Sequence, residues 1–239
     1  MDAISKYQEL REKTLPGLLL ERAKQTPDQA AYRAKKLGIY RERTWSHFSK
    51  LVSMCALGLI GLGLEKGERV AIMGDPCEEY VICEVAVQSL GAVTYGIYPT
   101  SSQKELHFLL EDGGAVIFIA ENQEYVDRVL PISSEFPNLK WIVVIDTKGI
   151  FMYEHPSLIA YEDLIHRGEK RLASNPGFFE KKVSELKPSD DLFIVYTSGT
   201  TGNPKGVLIS HGKHLAAAYT LIDRYPLLAK ALHRTVVYL

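Results

Sequence analysis

Tyr196-Thr197-Ser198-Gly199-Thr200-Thr201-Gly202-Asn203-Pro204-Lys205-Gly206-Val207 is the stretch from which the rest of the chain is read. Thr197, Ser198, Thr200 and Thr201 bring hydroxyls, Lys205 brings an ammonium, and Gly199, Gly202 and Gly206 let a backbone approach an anion closely and aim its N–H groups at one spot. That is the composition of a phosphate cradle, and a nucleoside triphosphate is the expected ligand. Leu192-Phe193-Ile194-Val195 just before it reads as a buried strand, and Val207-Leu208-Ile209 just after it as another. The loop is therefore expected at a strand end in an α/β fold, where ligand loops are common.

Asn203-Pro204-Lys205-Gly206 also suits a type I turn, with Asn first, Pro second and Gly last. A plain turn leaves the crowding of Thr197, Ser198, Thr200 and Thr201 at the strand end without a reason. The stretch is not a Walker A loop, which ends in Gly-Lys-Ser/Thr and opens a helix; here Lys205 follows Pro204 and a strand follows.

Outward from the loop, elements alternate as in a mixed, largely parallel sheet covered by helices. Helices are expected at 46–62 and 76–90, with strands at 69–73, 93–95, 116–120 and 141–145. Ser102-Gln103-Lys104-Glu105 is a capping box opening a helix that ends at Gly113-Gly114. The stretches 30–35 and 39–44, separated by Lys36-Leu37-Gly38, read as a hairpin. Turn signals between Glu154 and Asp191 suggest a first α/β subdomain over 1–154, a surface connection over 155–190, and the start of a second subdomain over 191–239. Thr235-Val236-Val237-Tyr238-Leu239 reads as a strand with no turn signal after it, so the chain is expected to be a truncated piece.

Of the residues, 46% are hydrophobic and 24% charged, and 28 basic against 29 acidic side chains give a net charge of -1. This is globular, with no footprint for nucleic acid. The stretch 1–13 mixes charge signs and lacks a secretory core, so the cytoplasm is the expected location. Cys55, Cys77 and Cys83 lack metal-ligand spacing and read as reduced core thiols. The uncharged run 51–64 is shorter than the ~20 residues of a bilayer span and reads as a buried helix. It lacks the basic face of a surface anchor, and peripheral membrane contact stays open.

The run TSGTTGNPKGV, followed by Leu208-Ile209-Ser210-His211, resembles the signature loop of the acyl-adenylate-forming (AMP-binding) synthetases. Gly91-Ala92-Val93-Thr94-Tyr95-Gly96-Ile97-Tyr98-Pro99-Thr100-Ser101-Ser102 resembles a segment of the long-chain fatty acyl-CoA synthetase branch, and the opening pattern around 18–23, Thr44-Trp45 and 70–73 is similar too. The resemblance implies an N-terminal part of the large domain of an acyl-CoA synthetase-like fold. It implies the reaction of a fatty acid with ATP and coenzyme A to acyl-CoA, AMP and diphosphate through acyl-AMP.

By the same resemblance, Thr197 is a Mg²⁺ ligand, Ser198, Thr200 and Thr201 are donors to the β- and γ-phosphates, and Lys205 is their charge partner. Gly199, Gly202 and Gly206 shape the loop. A carboxylate with a pKa near ~4.3 needs no general base, so positioning and charge neutralisation are the main demands. Accordingly His211 is expected as an ordinary first-turn helix residue, and Tyr95, Tyr98 and Trp45 as packing aromatics. The family's acidic Mg²⁺ partner, adenine and ribose contacts, hinge and final lysine are not matched within these 239 residues, so turnover by this stretch alone is not expected. Adenylation of another carboxylic acid, or a non-catalytic nucleotide-binding module, are the alternative readings.

Overall fold

The structure, a computed structural model, describes Glu9 and residues 11–197 and 203–225. Ser198, Gly199, Thr200, Thr201 and Gly202, and the strand expected at 235–239, lie outside the described residues. The chain opens with α1 (Leu15–Gln25), a hairpin of β1 (Ala30–Lys36) and β2 (Ile39–Thr44), and α2 (Trp45–Gly61). There follow β3 (Arg69–Met73), α3 (Glu78–Ser89), β4 (Val93–Ile97), α4 (Gln103–Gly113) and β5 (Ala115–Ala120). Next come α5 (Gln123–Val129), a 3₁₀ turn (Leu130–Glu135), β6 (Trp141–Val144), β7 (Leu158–Ala160), α6 (Tyr161–Ser174) and α7 (Phe178–Ser184). The described part closes with β8 (Asp191–Thr197), β9 (Lys205–Ser210) and α8 (His211–Arg224).

Among the described residues, seven strands form one sheet in the order β7-β6-β5-β3-β4-β8-β9, separate from the β1-β2 hairpin. Every pairing in it is parallel except β8 with β9. Side chains alternate across the sheet with the period of two that a strand imposes. Val70, Ile72, Ile119 and Val143 join a core with residues of α1, α2, α3, α6 and α7. Ala71, Met73, Phe118, Ala120, Ile142 and Val144 face the opposite way and pack with α4 and α5. The mixed, mostly parallel sheet with helices on both faces is the fold expected from the sequence. Strands buried on both faces read as continuous apolar runs, which is why β3, β5 and β6 were legible.

The local signals hold closely. Ser102 Oγ accepts the Glu105 N–H at 3.2 Å and Glu105 Oε2 accepts the Ser102 N–H at 2.6 Å, completing the capping box of α4. Gly114 then ends the helix with a φ of 58°, a left-handed position that glycine adopts without strain. The run 51–64 is indeed a buried helix for most of its length, Val52 to Leu59 all being buried.

Three expectations need correction. The 155–190 stretch is not a plain surface connection, since it contributes β7 to the sheet and packs α6 and α7 against the core through Leu164, Phe179 and Val183. Its turn-rich ends hid a helix whose sparse apolar positions, Tyr161, Leu164 and Gly168, share one stripe. Gly168 lets α6 approach α2 so closely that an added Cβ would sit 1.6 Å from Met54 O. Second, Cys55 and Cys83 are buried free thiols with sulfurs 3.9 Å apart, but Cys77 is only half-buried and caps α3, its sulfur accepting the Tyr80 N–H at 3.4 Å. Third, Tyr98 is not a packing aromatic: it is 73% exposed in the loop after β4, whereas Tyr95 is buried.

Candidate functional site

Parallel pairing places the C-terminal ends of β3, β4, β5 and β8 along one edge of the sheet, the edge where α/β folds bind ligands. β8 leaves the sheet there at Thr197, and β9 returns from it at Lys205. The two residues are register partners, with Thr197 Oγ1 3.5 Å from Lys205 O. The stretch 198–204 is thus bracketed by a hydroxyl and an ammonium. Because Lys205 and Gly206 already belong to the β9 ladder, opposite Thr197 and Tyr196, the Asn203-to-Gly206 type I turn is not the connection.

Both bracketing side chains are available. Thr197 and Lys205 are exposed, and among the described residues no carboxylate lies within ion-pair distance of Lys205. Gly206 lies under Ile194 and Tyr196; a Cβ there would come within 2.9 Å of Ile194 Cγ2. Its small size therefore keeps β9 flat against β8.

The stem of the loop is held from behind. Tyr196 donates its hydroxyl to Asp112 Oδ2 at 2.7 Å, and its ring meets Tyr95 edge-on at a centroid distance of 5.7 Å. Burial, and next the Asp112 carboxylate, push the Tyr196 phenol well above its ordinary pKa, so it stays a donor. Tyr95 fits because Gly113 has no side chain; a Cβ would lie 2.4 Å from the ring. α4 thus fixes the stem through Asp112 and Gly113.

The neighbouring loop after β4 is fixed as well. Arg128 donates to the carbonyls of Pro99, at 2.9 Å, and of Ser101. Beside it, Glu121 Oε2 accepts the Asp75 N–H at 2.7 Å after the turn at Gly74. Sequence reasoning missed Asp112, Arg128 and Glu121 as positioning groups. Asp112 adjoined the helix-ending glycines and was open to inspection, but Arg128 and Glu121 bond backbone groups distant in sequence and leave no motif.

His211 lies at the other end of β8–β9, next to the Asp191–Ser210 pair, about 20 Å from the Thr197–Lys205 pair at ~3.3 Å per residue step. It is fully buried. Its ring Nδ1 accepts the Leu15 N–H at 3.3 Å, its backbone N–H donates to Asp190 O at 3.1 Å, and Ser210 caps the helix it starts. Burial, opposed by Asp190, pushes its pKa down to about 4, so the ring is neutral at physiological pH. The reading of His211 as a structural first-turn residue agrees with this position.

For magnesium, the exposed Thr197 hydroxyl at the stem of the loop is a hard oxygen donor. Among the described residues no group of three His, Cys, Asp or Glu side chains is arranged to hold a metal by itself. The site fits an ion that arrives with phosphate oxygens around it, not a protein-only cage.

The family described as AMP-binding enzyme matches residues 19–239, and the chain belongs to that family. The long-chain-fatty-acid CoA ligase FadD15 of Mycobacterium bovis is 28% identical over 223 residues, covering 93% of this chain and 35% of that relative. Among solved structures, the apo structure of MbtA from Mycobacterium smegmatis superposes with a TM-score of 0.72 at 20% identity, covering 95% of this chain and 38% of that one. The anthranilate CoA ligase AuaEII, in complex with anthranoyl-AMP, gives 0.67 at 24% identity, with 95% and 39% covered. These structures share the fold. The chain spans about a quarter to a third of the length of the curated relatives it matches.

Proposed function

We propose that this chain provides the phosphate-binding part of an ATP-dependent acid–thiol ligase, one that activates a long-chain fatty acid as acyl-AMP and passes it to coenzyme A. The observation that carries the reading is the pairing of Thr197 with Lys205 at the C-terminal edge of the sheet, on either side of 198–204. A fatty carboxylate is already ionised at neutral pH and needs no base to attack the α-phosphorus. What the site must do is hold the triphosphate in line and balance the charge that builds on departing diphosphate. Lys205 supplies that charge, and the hydroxyls and N–H groups of Ser198, Gly199, Thr200, Thr201 and Gly202 are proposed as donors to the β- and γ-phosphates, with Gly206 keeping the stem close. Magnesium, bound with the nucleotide and to the Thr197 hydroxyl, would neutralise phosphate charge.

The proposed organisation keeps 1–154 as a first subdomain and takes 191–239 as the beginning of a second, which carries the loop. A cytoplasmic location accompanies it; among the described residues no helix is long and apolar enough to cross a membrane. The fatty-acid assignment draws on FadD15 at 28% identity, and other carboxylates are the second reading.

The test is ATP- and coenzyme A-dependent thioester formation by the protein purified from its source, with palmitate, benzoate and acetate compared. Palmitoyl-CoA in excess of the other products is expected, and no product from any acid overturns the reading. The 239-residue chain alone is expected to give none, because the family's adenine, ribose and lysine motifs are not matched within it.

A further inference from the structure

The β1–β2 hairpin breaks two local rules at its tip. Leu37 and Gly38 both have positive φ, 52° and 80°, the pattern of a two-residue type I′ turn. Asn, Asp or Gly is favoured at the first of these positions, and a leucine there is held against its preference. The same leucine is 94% exposed. A residue that neither suits its backbone nor packs against the protein points to a role outside the folded chain.

Its neighbours extend the feature. Ile39 and Tyr40 are also exposed, yet as successive strand residues they point to opposite faces of the ribbon. Both faces of the tip are therefore apolar and open. A protruding tip that is apolar on both faces suits insertion into a lipid interface. Basic residues form a collar. Lys36 reaches Glu79 at 3.9 Å and Arg33 pairs with Glu42, whereas Lys35 lies over the Tyr40 ring at 5.6 Å and, with Arg41, makes no ion pair among the described residues.

A second loop sits on the same side. The Asp146 N–H donates to Glu121 O at 2.6 Å, Glu121 Oε2 accepts the Asp75 N–H at 2.7 Å, and Lys36 reaches Glu79 at 3.9 Å just beyond Asp75, so the 146–152 loop and the hairpin both flank the β3–α3 turn. That loop exposes Phe151 by 81% and Met152 by 77%, next to Lys148 at the surface. Two separate loops thus present large apolar side chains; beside the first, Lys35 and Arg41 make no ion pair among the described residues, whereas Lys148 in the second is paired with Asp146 at 3.3 Å.

We propose that Leu37, Ile39 and Tyr40, with Phe151 and Met152, dock this protein on an anionic lipid bilayer, the apolar tips entering the interface and Lys35 and Arg41 meeting the headgroups. Apolar side chains at headgroup depth and basic residues beside them act additively in such binding. The inference does not depend on the reading of the phosphate loop.

The experiment is co-sedimentation of the chain with vesicles of phosphatidylcholine alone and of phosphatidylcholine mixed with phosphatidylglycerol. Wild type is expected to pellet with the mixed vesicles and largely not with phosphatidylcholine, with the difference shrinking in high salt. Leu37→Asn with Ile39→Thr is expected to lower partitioning at least ~10-fold. Asn suits the turn, so a melting temperature no lower than that of wild type would show that the loss is not misfolding. Phe151→Ser with Met152→Ser, in a different loop, is expected to weaken binding separately. The proposal is overturned if wild type stays in the supernatant, if both double variants pellet like wild type, or if the tip instead mediates self-association that Leu37→Asn abolishes without vesicle binding.

Discussion

Single residues show where size and charge decide the structure. Gly168 has the backbone of Met54 against it, and a methyl group there would overlap Met54 O at 1.6 Å, with no flexible side chain to give way. Gly168→Ala is expected to cost more than ~3 kcal/mol in urea unfolding, because α2 and α6 must separate. Gly61→Ala, facing only the movable Arg171 side chain at 3.2 Å, is expected to be near neutral. His211 carries a pH signature. Between the unfolded value of ~6.5 and about 4 in the fold, the unfolded chain takes up a proton that the buried ring refuses. Its contribution is therefore fully present above that window and falls as pH drops through it. His211→Gln is expected to flatten the stability profile across this range, as followed by urea unfolding at a series of pH values; parallel profiles for the two proteins would contradict the assignment.

Elements were legible in the sequence wherever their signal was local. The capping box of α4 was readable because Ser102 and Glu105 are three residues apart and bond one another's backbone. Ser102→Ala is expected to lower stability by ~1 kcal/mol, seen as a lower melting temperature. β3 matched residue for residue, since a doubly buried strand is an unbroken apolar run bounded by polar residues. α6 was missed for the converse reason: most of its surface is charged, and its burial depends on a close glycine contact that no periodicity announces. In the hairpin, Leu37→Asn is expected to raise stability by about 0.5–1 kcal/mol by relieving the positive-φ leucine, a gain that thermal unfolding would register.

For the whole molecule, the sheet was foreseeable from alternation of strands and helices, and so was the position of the proposed phosphate loop between two strands. The means of holding that loop were not. Tyr196 meets Asp112 across 84 residues of sequence, and Arg128 reaches the carbonyls after β4, contacts that exist only once β4, β5 and β8 lie side by side. The sheet brings the stem of the loop, Thr197 and Lys205, to the ligand edge and leaves His211 at the opposite edge, which separates the residues expected to meet nucleotide from the one that supports the fold. The most direct measurement is calorimetric titration of Mg²⁺-ATP into the chain and into its Lys205→Ala variant. Lys205 is exposed and ion-paired to nothing described, so the variant should fold and melt as wild type does. Saturable binding by wild type, weakened at least ~10-fold in Lys205→Ala through loss of a charge-assisted phosphate contact, is the predicted result. Equal affinity in the two proteins, or no saturable binding by wild type, would contradict a phosphate site at this edge.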